Sequence, residues 1–201
     1  MIYYKSIFNY KNKINNNFKR CFIYLKNMKM FNKTKLVLLK KCNKKILYDM
    51  YQDIPSLEIG SINKMNGISY KYFEKKINEF IEEEKNINKY IKTTTIRFIL
   101  FDNKKPIGEV GIRTTLSDFW QNRGSQIYYK IRKSERKKGY GNIILKLALK
   151  EAKKLGFTKI RINCDDKNIA SKKIILKNGG IVDIVSYKTI EGSSSSYIIN
   201  I

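Results

Sequence analysis

The six-residue turn 136–141, with the sequence RKKGYG, constrains the fold of this chain more than any other stretch. A strand-like run at 126–131 precedes the turn, and a helix-like run follows it. The first amides of a helix have no partner within the helix, and the helix dipole adds partial positive charge there. Glycines at 139 and 141 carry no side chain that would keep an anion from the backbone. The turn therefore predicts a phosphate-binding site at the start of a helix.

The sequence of this turn excludes two common phosphate loops and leaves one plain alternative. It lacks the Gly-Lys-Ser/Thr ending of a P-loop, and its glycine spacing differs from the dinucleotide-binding fingerprint. Because the chain contains 42 Lys and Arg residues, a basic turn on the protein surface would look the same. The elements on either side of the turn therefore have to decide between the two interpretations.

The composition allows a packed domain and removes several kinds of catalytic site. Hydrophobic residues make up 42% of the chain, and a length of 201 residues predicts one domain with extensions. The formal net charge of +25 favours a nucleic-acid partner, but the lysines are spread along the chain instead of forming one basic block. Histidine is absent, which excludes His-based triads and most zinc sites.

The cysteines and the hydropathy pattern predict a cytoplasmic protein. Cys21, Cys42 and Cys164 have no paired spacing, as is typical of reduced thiols in a cytosol. No apolar run approaches the roughly 18 residues of a membrane helix, and no signal peptide is recognisable. We therefore expect no membrane partner.

Residues 1–32 form a basic, Lys/Asn-rich extension ahead of a domain that spans 33–201. The extension contains no acidic residue, and its hydrophobic residues show no clean period. We expect a disordered or weakly helical tail, or an upstream start that the cell does not use, since Met28 and Met30 follow Met1 as start codons. The alternative is a basic arm that makes a weak contact with RNA or touches a membrane surface.

Hydrophobic periodicity and turn residues predict alternating strands and helices over 34–201. Asn43 and Ser69 are typical helix caps, and Gly156 is typical of a helix end. The predicted strands are 34–40, 94–101, 107–114, 126–131, 160–164, 182–188 and 197–201, with a turn through the serines at 193–196. The predicted helices are 43–54, 69–88, 142–155 and 168–178. The succession of strand, helix and strand around the turn 136–141 predicts a crossover that joins parallel strands.

This order of elements, together with the turn, resembles the GCN5-related N-acetyltransferases (GNAT), whose Arg/Gln-x-x-Gly-x-Gly/Ala loop holds the pyrophosphate of acetyl-CoA. The NIAS segment at 168–171 and the glycines at 179 and 180 resemble the family's segment beyond the coenzyme site. The resemblance covers 34–201 and is dense from 106 to 183. It implies an α/β (α+β) fold with a mixed sheet of about seven strands, flanked by about four helices and splayed or bulged at strand four. Further residues resemble a subgroup of uncharacterised bacterial acetyltransferases: Gly108, Arg113, Tyr129, Ile131, Arg132, Cys164, Asp165 and Asn168.

The resemblance also implies how acetyl-CoA would bind. Backbone amides at 137–142 would hold the pyrophosphate, with Arg136 at the mouth of the site. The main chain at 131–133 would pair with the pantetheine arm and present an N–H to the thioester oxygen. Asn168 would contact the arm through its amide, with a helix-cap role as the alternative. The implied coenzyme-binding residues are Ile131, Arg132, Lys133, Arg136, Lys137, Lys138, Gly139, Tyr140, Gly141, Asn142, Asn168 and Ser171.

Acetyl transfer to an amine needs a base, because the amine arrives protonated. Glu109, on the strand 107–114, is the candidate general base, and an exposed strand residue without a catalytic role is the alternative. Asp165 is a second candidate, for which a turn or cap role is favoured. The tyrosine that many family members use as general acid corresponds here to Ile175, which puts an acid of that kind in doubt. Core packing is favoured for the other candidates by residue type, which are Tyr128, Tyr129, Tyr187 and Cys164.

The segments expected to select the acceptor are 54–68, 69–88, 115–124 and the final hairpin. Phe119 and Trp120 could line an acceptor pocket or form a hydrophobic lid, and Asp53 and Glu58 could attract a cationic amine. We therefore predict an acetyl-CoA-dependent N-acetyltransferase without a metal that transfers the acetyl group directly to a primary amine.

Two other functions stay open. The first is a basic RNA- or ribosome-binding protein on a catalytically silent GNAT fold, and the second is an enzyme that uses another acyl group. The sequence leaves open the choice between a monomer and a homodimer.

Overall fold

The structure is a computed structural model that describes residues 33–85, 93–115, 124–189 and 192–201, with only the backbone described at 115 and 184–189. Nearly all of the described residues belong to one compact unit, Lys35–Ile201. The predicted extension 1–32 lies outside the described residues, so the boundary between 32 and 33 stays a prediction.

The described part of the chain contains the predicted succession of strands and helices. Its strands are β1 (Thr34–Leu38), β2 (Leu57–Glu58), β3 (Ser61–Ile62), β4 (Thr94–Asp102), β5 (Lys105–Thr115), β6 (Ile127–Ile131), β7 (Lys159–Asp165), β8 (Ile181–Thr189) and β9 (Gly192–Asn200). Its α-helices are α1 (Lys44–Gln52), α2 (Tyr70–Glu82), α3 (Tyr140–Lys154) and α4 (Ile169–Lys177). Short 3-10 turns follow β1 at Leu39–Lys41 and β6 at Lys133–Glu135.

The helix caps expected from the sequence are present. The side chain of Asn43 accepts a hydrogen bond from the Lys45 amide at 2.9 Å, and that of Ser69 accepts one from Tyr72 at 3.4 Å. Each bond satisfies one of the amides that a helix start leaves without a partner. Gly156 follows α3 with a left-handed φ of 88°, which glycine adopts without strain. Local chemistry alone therefore fixes the ends of these helices.

The seven longer strands of the described part form two sheets instead of the single mixed sheet that was expected, and the ladders β4–β5, β5–β6, β7–β9 and β8–β9 are antiparallel. The predicted α+β class is confirmed. One sheet has the order β1-β4-β5-β6 and the other has the order β7-β9-β8, while β2 and β3 form a small separate hairpin. Strand β5 pairs antiparallel with β4 on one side and with β6 on the other, where Gly108 lies opposite Ile131 and Ile112 opposite Ile127.

The predicted turn at 193–196 is wrong, because these serines belong to β9. That strand is the centre of its sheet, and Ser195 and Ser196 pair with Cys164 and Asn163 of β7. Ser196 is only 1% exposed. Backbone bonds to strands on both sides outweigh the low intrinsic strand preference of a serine run.

The two sheets meet at β6 and β7, and they separate along these strands. At the start of β6 the Gln126 amide donates to the Arg161 carbonyl at 2.8 Å, and the Gln126 side chain accepts from the Arg161 amide at 2.5 Å. No ladder joins the described residues of β6 and β7 beyond this contact. The β5–β6 register shows no shift, so the predicted splay forms without the bulge that was expected as an alternative at this strand.

Helices cover both faces of the first sheet. Helices α1 and α2 bury a cluster that includes Leu47, Met50 and Phe73. Helix α3 packs against β5 and β6, and its residues Ile144 and Ala148 are both 0% exposed. Within the described ranges, no helix is both long and apolar enough to cross a bilayer.

Candidate active site

The turn before α3 has the backbone of an anion-binding nest. Lys137 and Gly139 have left-handed φ values of 61° and 91°, and they flank Lys138. Alternation of left- and right-handed residues directs successive backbone N–H groups into one concavity, which suits an anion. Gly139 is also the N-cap residue of the 15-residue helix α3, whose first turn contains no acidic residue. The backbone geometry of the turn and the dipole of α3 therefore both favour an anion at Gly139.

Gly141 and Asn142 have a packing role in addition to any contact with a ligand. A Cβ atom added at Gly141 would lie 2.6 Å from Cδ1 of Ile174, so the glycine lets α3 and α4 approach closely. The Asn142 side chain accepts a hydrogen bond from Asn178 at 2.9 Å at the same contact. The glycine at 141 is thus explained by helix packing, which the sequence alone did not indicate.

The side chains of the turn are largely engaged within the protein. Arg136 donates Nε to the Ile131 carbonyl at 3.0 Å, and its two terminal nitrogens bond the carboxylate of Glu58. Glu58, expected to attract an amine, instead fixes β2 to the end of β6 through this pair. Lys138 pairs with Glu135 at 2.9 Å, and the Tyr140 hydroxyl donates to Asp102 at 2.5 Å. The backbone of the turn is therefore better placed than these side chains to hold an anion.

The backbone of β6 leaves two amides for a strand-like ligand. The Arg132 amide donates to the Ile107 carbonyl at 3.0 Å, and the Lys133 amide donates to the Asp53 carbonyl at 2.9 Å. Residues alternate along an antiparallel strand, so Ile131 and Tyr129 direct their amides away from β5, toward the gap. Of the three positions expected to pair with pantetheine, Ile131 is thus the one whose amide faces the gap, and Tyr129 joins it.

A cavity of about 560 Å³ lies at this gap and is lined by residues of both sheets. At its β7 side, the Tyr129 hydroxyl and Ser171 Oγ are 2.8 Å apart. Burial raises the pKa of Tyr129 to about 12, against the opposing effect of the Ser171 hydrogen bond. Asn168 caps α4 by accepting from the Ser171 amide at 3.0 Å, and its Nδ2 donates to the Ile59 carbonyl at 3.2 Å. The cap role of Asn168 is therefore present.

Glu109 lines the same cavity and is 4% exposed. Its side chain lies on the face of β5 and β6 opposite to the face that carries the Tyr129 side chain. The Tyr51 hydroxyl donates to its Oε2 at 2.5 Å, and the Tyr128 hydroxyl donates to its Oε1 at 2.9 Å. Arg97 Nε is 3.8 Å from the same carboxylate. The alternative of an exposed strand residue is therefore wrong, and Glu109 is the centre of a buried polar cluster.

Burial and the interactions within this cluster shift the pKa values of Tyr51, Tyr128 and Arg97. Burial and the Glu109 carboxylate raise the pKa of both Tyr51 and Tyr128, so both hydroxyls stay protonated and donate. Burial alone would lower the pKa of Arg97, but Tyr128, Glu109 and Glu83 raise it above its usual value. Arg97 also bonds Glu83 at 2.5 Å and the Phe80 carbonyl at 3.1 Å. Tyr51 and Tyr128 thus stay protonated and neutral, and Arg97 stays charged, near neutral pH.

Sequence reasoning missed Tyr51 and Arg97 as members of the site. Tyr51 lies 58 residues before Glu109, and its helix gave no sign of that contact. An arginine inside the apolar run TTIRFILF was the available signal, since a buried guanidinium needs an acceptor. Tyr128, for which core packing was favoured, proves to be a hydrogen-bond donor at the site.

The remaining candidates have structural positions. Asp165 accepts a hydrogen bond from the Lys167 amide at 2.8 Å, which is the turn role favoured for it. Ile175, at the family's tyrosine position, is 0% exposed and part of the core. Asp53 bonds Arg132 at 2.6 Å instead of standing free for an amine.

Phe119 and Trp120 lie outside the described residues, and the side chain of Tyr187 is not described. No cluster of metal-binding side chains occurs among the residues with described positions.

A family comparison decides what kind of protein carries this site. The family model described as an acetyltransferase (GNAT) domain matches residues 58–181, which is more than half of the chain. The chain belongs to the GNAT acetyltransferase family. This GNAT assignment confirms the predicted enzyme class, an acyltransferase with acetyl-CoA as the donor. No curated protein sequence matches the chain significantly.

Solved structures share the GNAT fold at low sequence identity. RimL, a ribosomal-protein α-N-acetyltransferase in complex with coenzyme A, aligns with a TM-score of 0.61 and 13% identity, covering 84% of this chain and 94% of that one. Spermidine N-acetyltransferase from Vibrio cholerae, in complex with coenzyme A and spermine, gives 0.57 and 15%, covering 84% and 96%. An aminoglycoside acetyltransferase in complex with coenzyme A gives 0.57 and 15%, covering 84% and 94%. These likenesses confirm the fold class.

Proposed function

We propose that this protein transfers the acetyl group of acetyl-CoA directly to a primary amine. The observation that carries the proposal is the gap between β6 and β7, which has the nest of Gly139 beyond one end and the Glu109 cluster inside its cavity. A donor and an acceptor can therefore enter from opposite faces of the same pair of strands. The acetyltransferase (GNAT) family match supports the same chemistry.

The donor binds along β6 in this proposal. Its diphosphate rests on the backbone amides around Gly139, where the positive end of the α3 dipole lies. Its pantetheine arm, which resembles a peptide, pairs with the backbone amides of Ile131 and Tyr129 as an added strand would. Such an amide also faces the thioester oxygen, where it stabilises the negative charge that develops during attack. The coenzyme supplies an activated acetyl group, and the chain supplies its orientation.

The acceptor amine meets Glu109 on the other face. Each carboxylate oxygen of Glu109 accepts a hydrogen bond from a tyrosine hydroxyl. The proton of the ammonium group therefore reaches the carboxylate through Tyr128 or through a water molecule. The neutral amine then attacks the thioester carbonyl, a C–N bond forms and the C–S bond breaks, and the nitrogen loses its extra proton to the departing thiolate or to solvent. The coenzyme leaves as a thiolate, whose conjugate acid is acidic enough to need little help.

Other finer expectations stay predictions. The neighbouring structures are named for acceptors as different as a ribosomal protein, spermidine and aminoglycosides. A cytoplasmic location, a bacterial source and a contact between residues 1–32 and RNA rest on the sequence alone. The choice between monomer and homodimer is also open.

The experiment that tests the proposal combines binding and turnover. Acetyl-CoA at about 100 times its dissociation constant stabilises a specific binder by about 2.7 kcal/mol, which raises the melting temperature by several degrees. Free coenzyme A should then be released when amines are added, and mass spectrometry should find an increase of one acetyl group in the amine. A melting temperature that millimolar acetyl-CoA leaves unchanged would contradict the proposal.

A further inference from the structure

The cavity that an acceptor amine would enter already contains a primary amine of the protein itself. Of the described lysines, Lys64 and Lys130 line this cavity; Lys64 is exposed, whereas Lys130 is half-buried. Lys130 belongs to β6, the strand along which acetyl-CoA binds in the proposed function. A side chain of the same chemical class as the proposed acceptor therefore lies on the strand that would hold the donor.

The strand register places Lys130 beside the candidate base. Lys130 lies directly opposite Glu109 in the pairing of β6 with β5. Residues directly opposite each other share one face of the sheet, and their Cβ atoms lie about 5 Å apart. Tyr128 alternates with Lys130 along β6, so it lies on the same face, where its hydroxyl donates to Glu109 at 2.9 Å. The base, its proton route and the Lys130 amine therefore occupy one face of two adjacent strands.

The contacts of the Lys130 ammonium group leave it able to react. Nζ donates to the carbonyl of Ile62, in β3, at 2.6 Å. Because an ammonium group has three N–H donors, this bond leaves two of them for other partners. Burial lowers the pKa of Lys130, although the carboxylates of Glu109 and Glu58 oppose this effect. A lowered pKa increases the neutral fraction of the amine, which is its nucleophilic form.

The position of Lys130 along β6 brings its side chain close to the proposed thioester site. Its neighbours Tyr129 and Ile131 are the two residues whose amides face the gap, where the pantetheine arm would pair. The flexible four-carbon stem of a lysine lets Nζ turn from Ile62 toward a thioester held at these amides. Since donor and amine would then be held by the same strand, the reaction would gain the high effective concentration of an intramolecular step.

We propose that Lys130 is a self-acetylation site, at which the protein transfers the acetyl group of bound acetyl-CoA to its own side chain. This inference rests on the proposed acetyl transfer and adds a modification site to it. The Nζ ammonium group gives one proton to Glu109, through Tyr128 or a water molecule, and the neutral Nζ attacks the thioester carbonyl. A C–N bond forms, the C–S bond breaks, and the extra proton on nitrogen passes to the departing thiolate or to solvent. The products are an acetylated side chain at position 130 and free coenzyme A.

Mass spectrometry of the full chain, incubated with acetyl-CoA and without any acceptor, tests this inference. Exposed lysines can react with acetyl-CoA without catalysis, so Lys150, at an exposed position of α3, is the internal control. We expect Lys130 to be acetylated at least about tenfold faster than Lys150, because its reaction is intramolecular. Its rate should level off at high acetyl-CoA and should not depend on protein concentration. Equal rates at the two lysines, or a rate at Lys130 that rises in proportion to acetyl-CoA without levelling off, overturns the inference.

Variants assign the reaction to the cavity. Glu109→Gln should slow acetylation of Lys130 by at least about 100-fold and leave that of Lys150 unchanged. Lys130→Arg should abolish the fast mass increase, whereas Lys64→Arg, at the other cavity lysine, is the matched control and should keep it. A fast mass increase that persists in Lys130→Arg overturns the inference.

The same samples distinguish this inference from the proposed function. Failure of the full chain to bind acetyl-CoA in calorimetry counts against the proposed function itself. Binding of acetyl-CoA without acetylation of Lys130 overturns the self-acetylation site alone, whether or not an added amine is acetylated.

Discussion

The Tyr128 hydroxyl of β6 donates a hydrogen bond of 2.9 Å to the Glu109 carboxylate of β5. The same hydroxyl lies 3.0 Å from Arg97 Nε, from which it accepts a hydrogen bond. The bond connects the candidate base Glu109 to β6, and the other edge of β6 faces the gap between β6 and β7. In the proposed mechanism, the proton route through Tyr128 therefore lies one residue from the Tyr129 amide that would face the thioester.

Replacement of Glu109 by glutamine should remove the proton acceptor and keep most of the shape of the cluster. We expect kcat for acetyl transfer to fall by about 100- to 10,000-fold, the usual contribution of a general base. The dissociation constant of acetyl-CoA should stay the same, because the proposed binding mode places the coenzyme at the edge of β6 that faces away from β5. Tyr128→Phe should show a smaller fall in kcat. Equal activity of Glu109→Gln and the unmodified protein would rule out this residue as the base.

Substitution of aspartate at Gly139 should place a negative charge in the nest and strain the backbone. We expect acetyl-CoA affinity to fall by at least about tenfold, since a like charge next to a phosphate costs more than 1 kcal/mol. Gly156→Asp is the matched control, because Gly156 has a similar φ of 88° and open space around its Cα. Calorimetric titration of both variants measures the difference. Similar affinities in the two variants would place the diphosphate elsewhere.

The close contact of α3 with α4 at Gly141 predicts a strong coupling between two side chains. Gly141→Ala places a Cβ atom 2.6 Å from Cδ1 of Ile174, and Ile174→Val removes that atom. Overpacking costs about 1–3 kcal/mol in a well-packed site, so the alanine should destabilise the unmodified protein. In the Ile174→Val background it should do so much less, with a coupling free energy of about 1 kcal/mol in urea unfolding. Additive effects would mean that the helices move apart freely.

Asp53 predicts a pH-dependent contribution to stability. Although burial opposes it, hydrogen bonds from Ser134 and Arg132 hold the pKa of Asp53 below its usual value. A lowered folded-state pKa gives stability that is complete above the unfolded value, about 3.9, and is lost as the pH falls through the folded one. Asp53→Asn should therefore cost about 1–3 kcal/mol at pH 7, and this cost should shrink as the pH falls below about 3.9 toward the folded-state pKa.

Urea unfolding at several pH values measures this dependence. Asp49→Asn serves as control, because Asp49 is exposed on the same helix and should change the stability by less than about 0.5 kcal/mol. A cost of Asp53→Asn that does not fall at all as the pH is lowered from about 7 to the acid limit of the folded protein would show that the carboxylate charge contributes nothing.

The sequence was sufficient where a structure depends on neighbouring residues. Asn43, Ser69 and Gly156 mark helix ends through contacts within a few residues, and each was predicted. The strand–helix–strand unit around the turn followed from periodicity and from glycine positions. The family's motifs then predicted a coenzyme site at the turn before α3, and this placement stays a prediction.

The sequence was insufficient where a residue's role depends on a distant partner. Arg136 meets Glu58, which lies 78 residues away, so its engagement was not predictable from the turn. The serines at 193–196 form a strand only because β7 and β8 lie on both sides of it. Gly141 looked like a phosphate-loop glycine, but its lack of a side chain serves the contact with Ile174 of α4. In each case long-range packing decided what local preference left open.

Amide hydrogen exchange at Ile131 measures directly whether acetyl-CoA enters the gap between β6 and β7. The measurement is made by NMR on the full chain, with and without acetyl-CoA at a concentration shown by calorimetry to saturate the protein. We expect exchange of the Ile131 and Tyr129 amides to slow by at least about tenfold, because the pantetheine arm would accept hydrogen bonds from both. Bound acetyl-CoA that leaves both amides exchanging at their original rates would contradict the account.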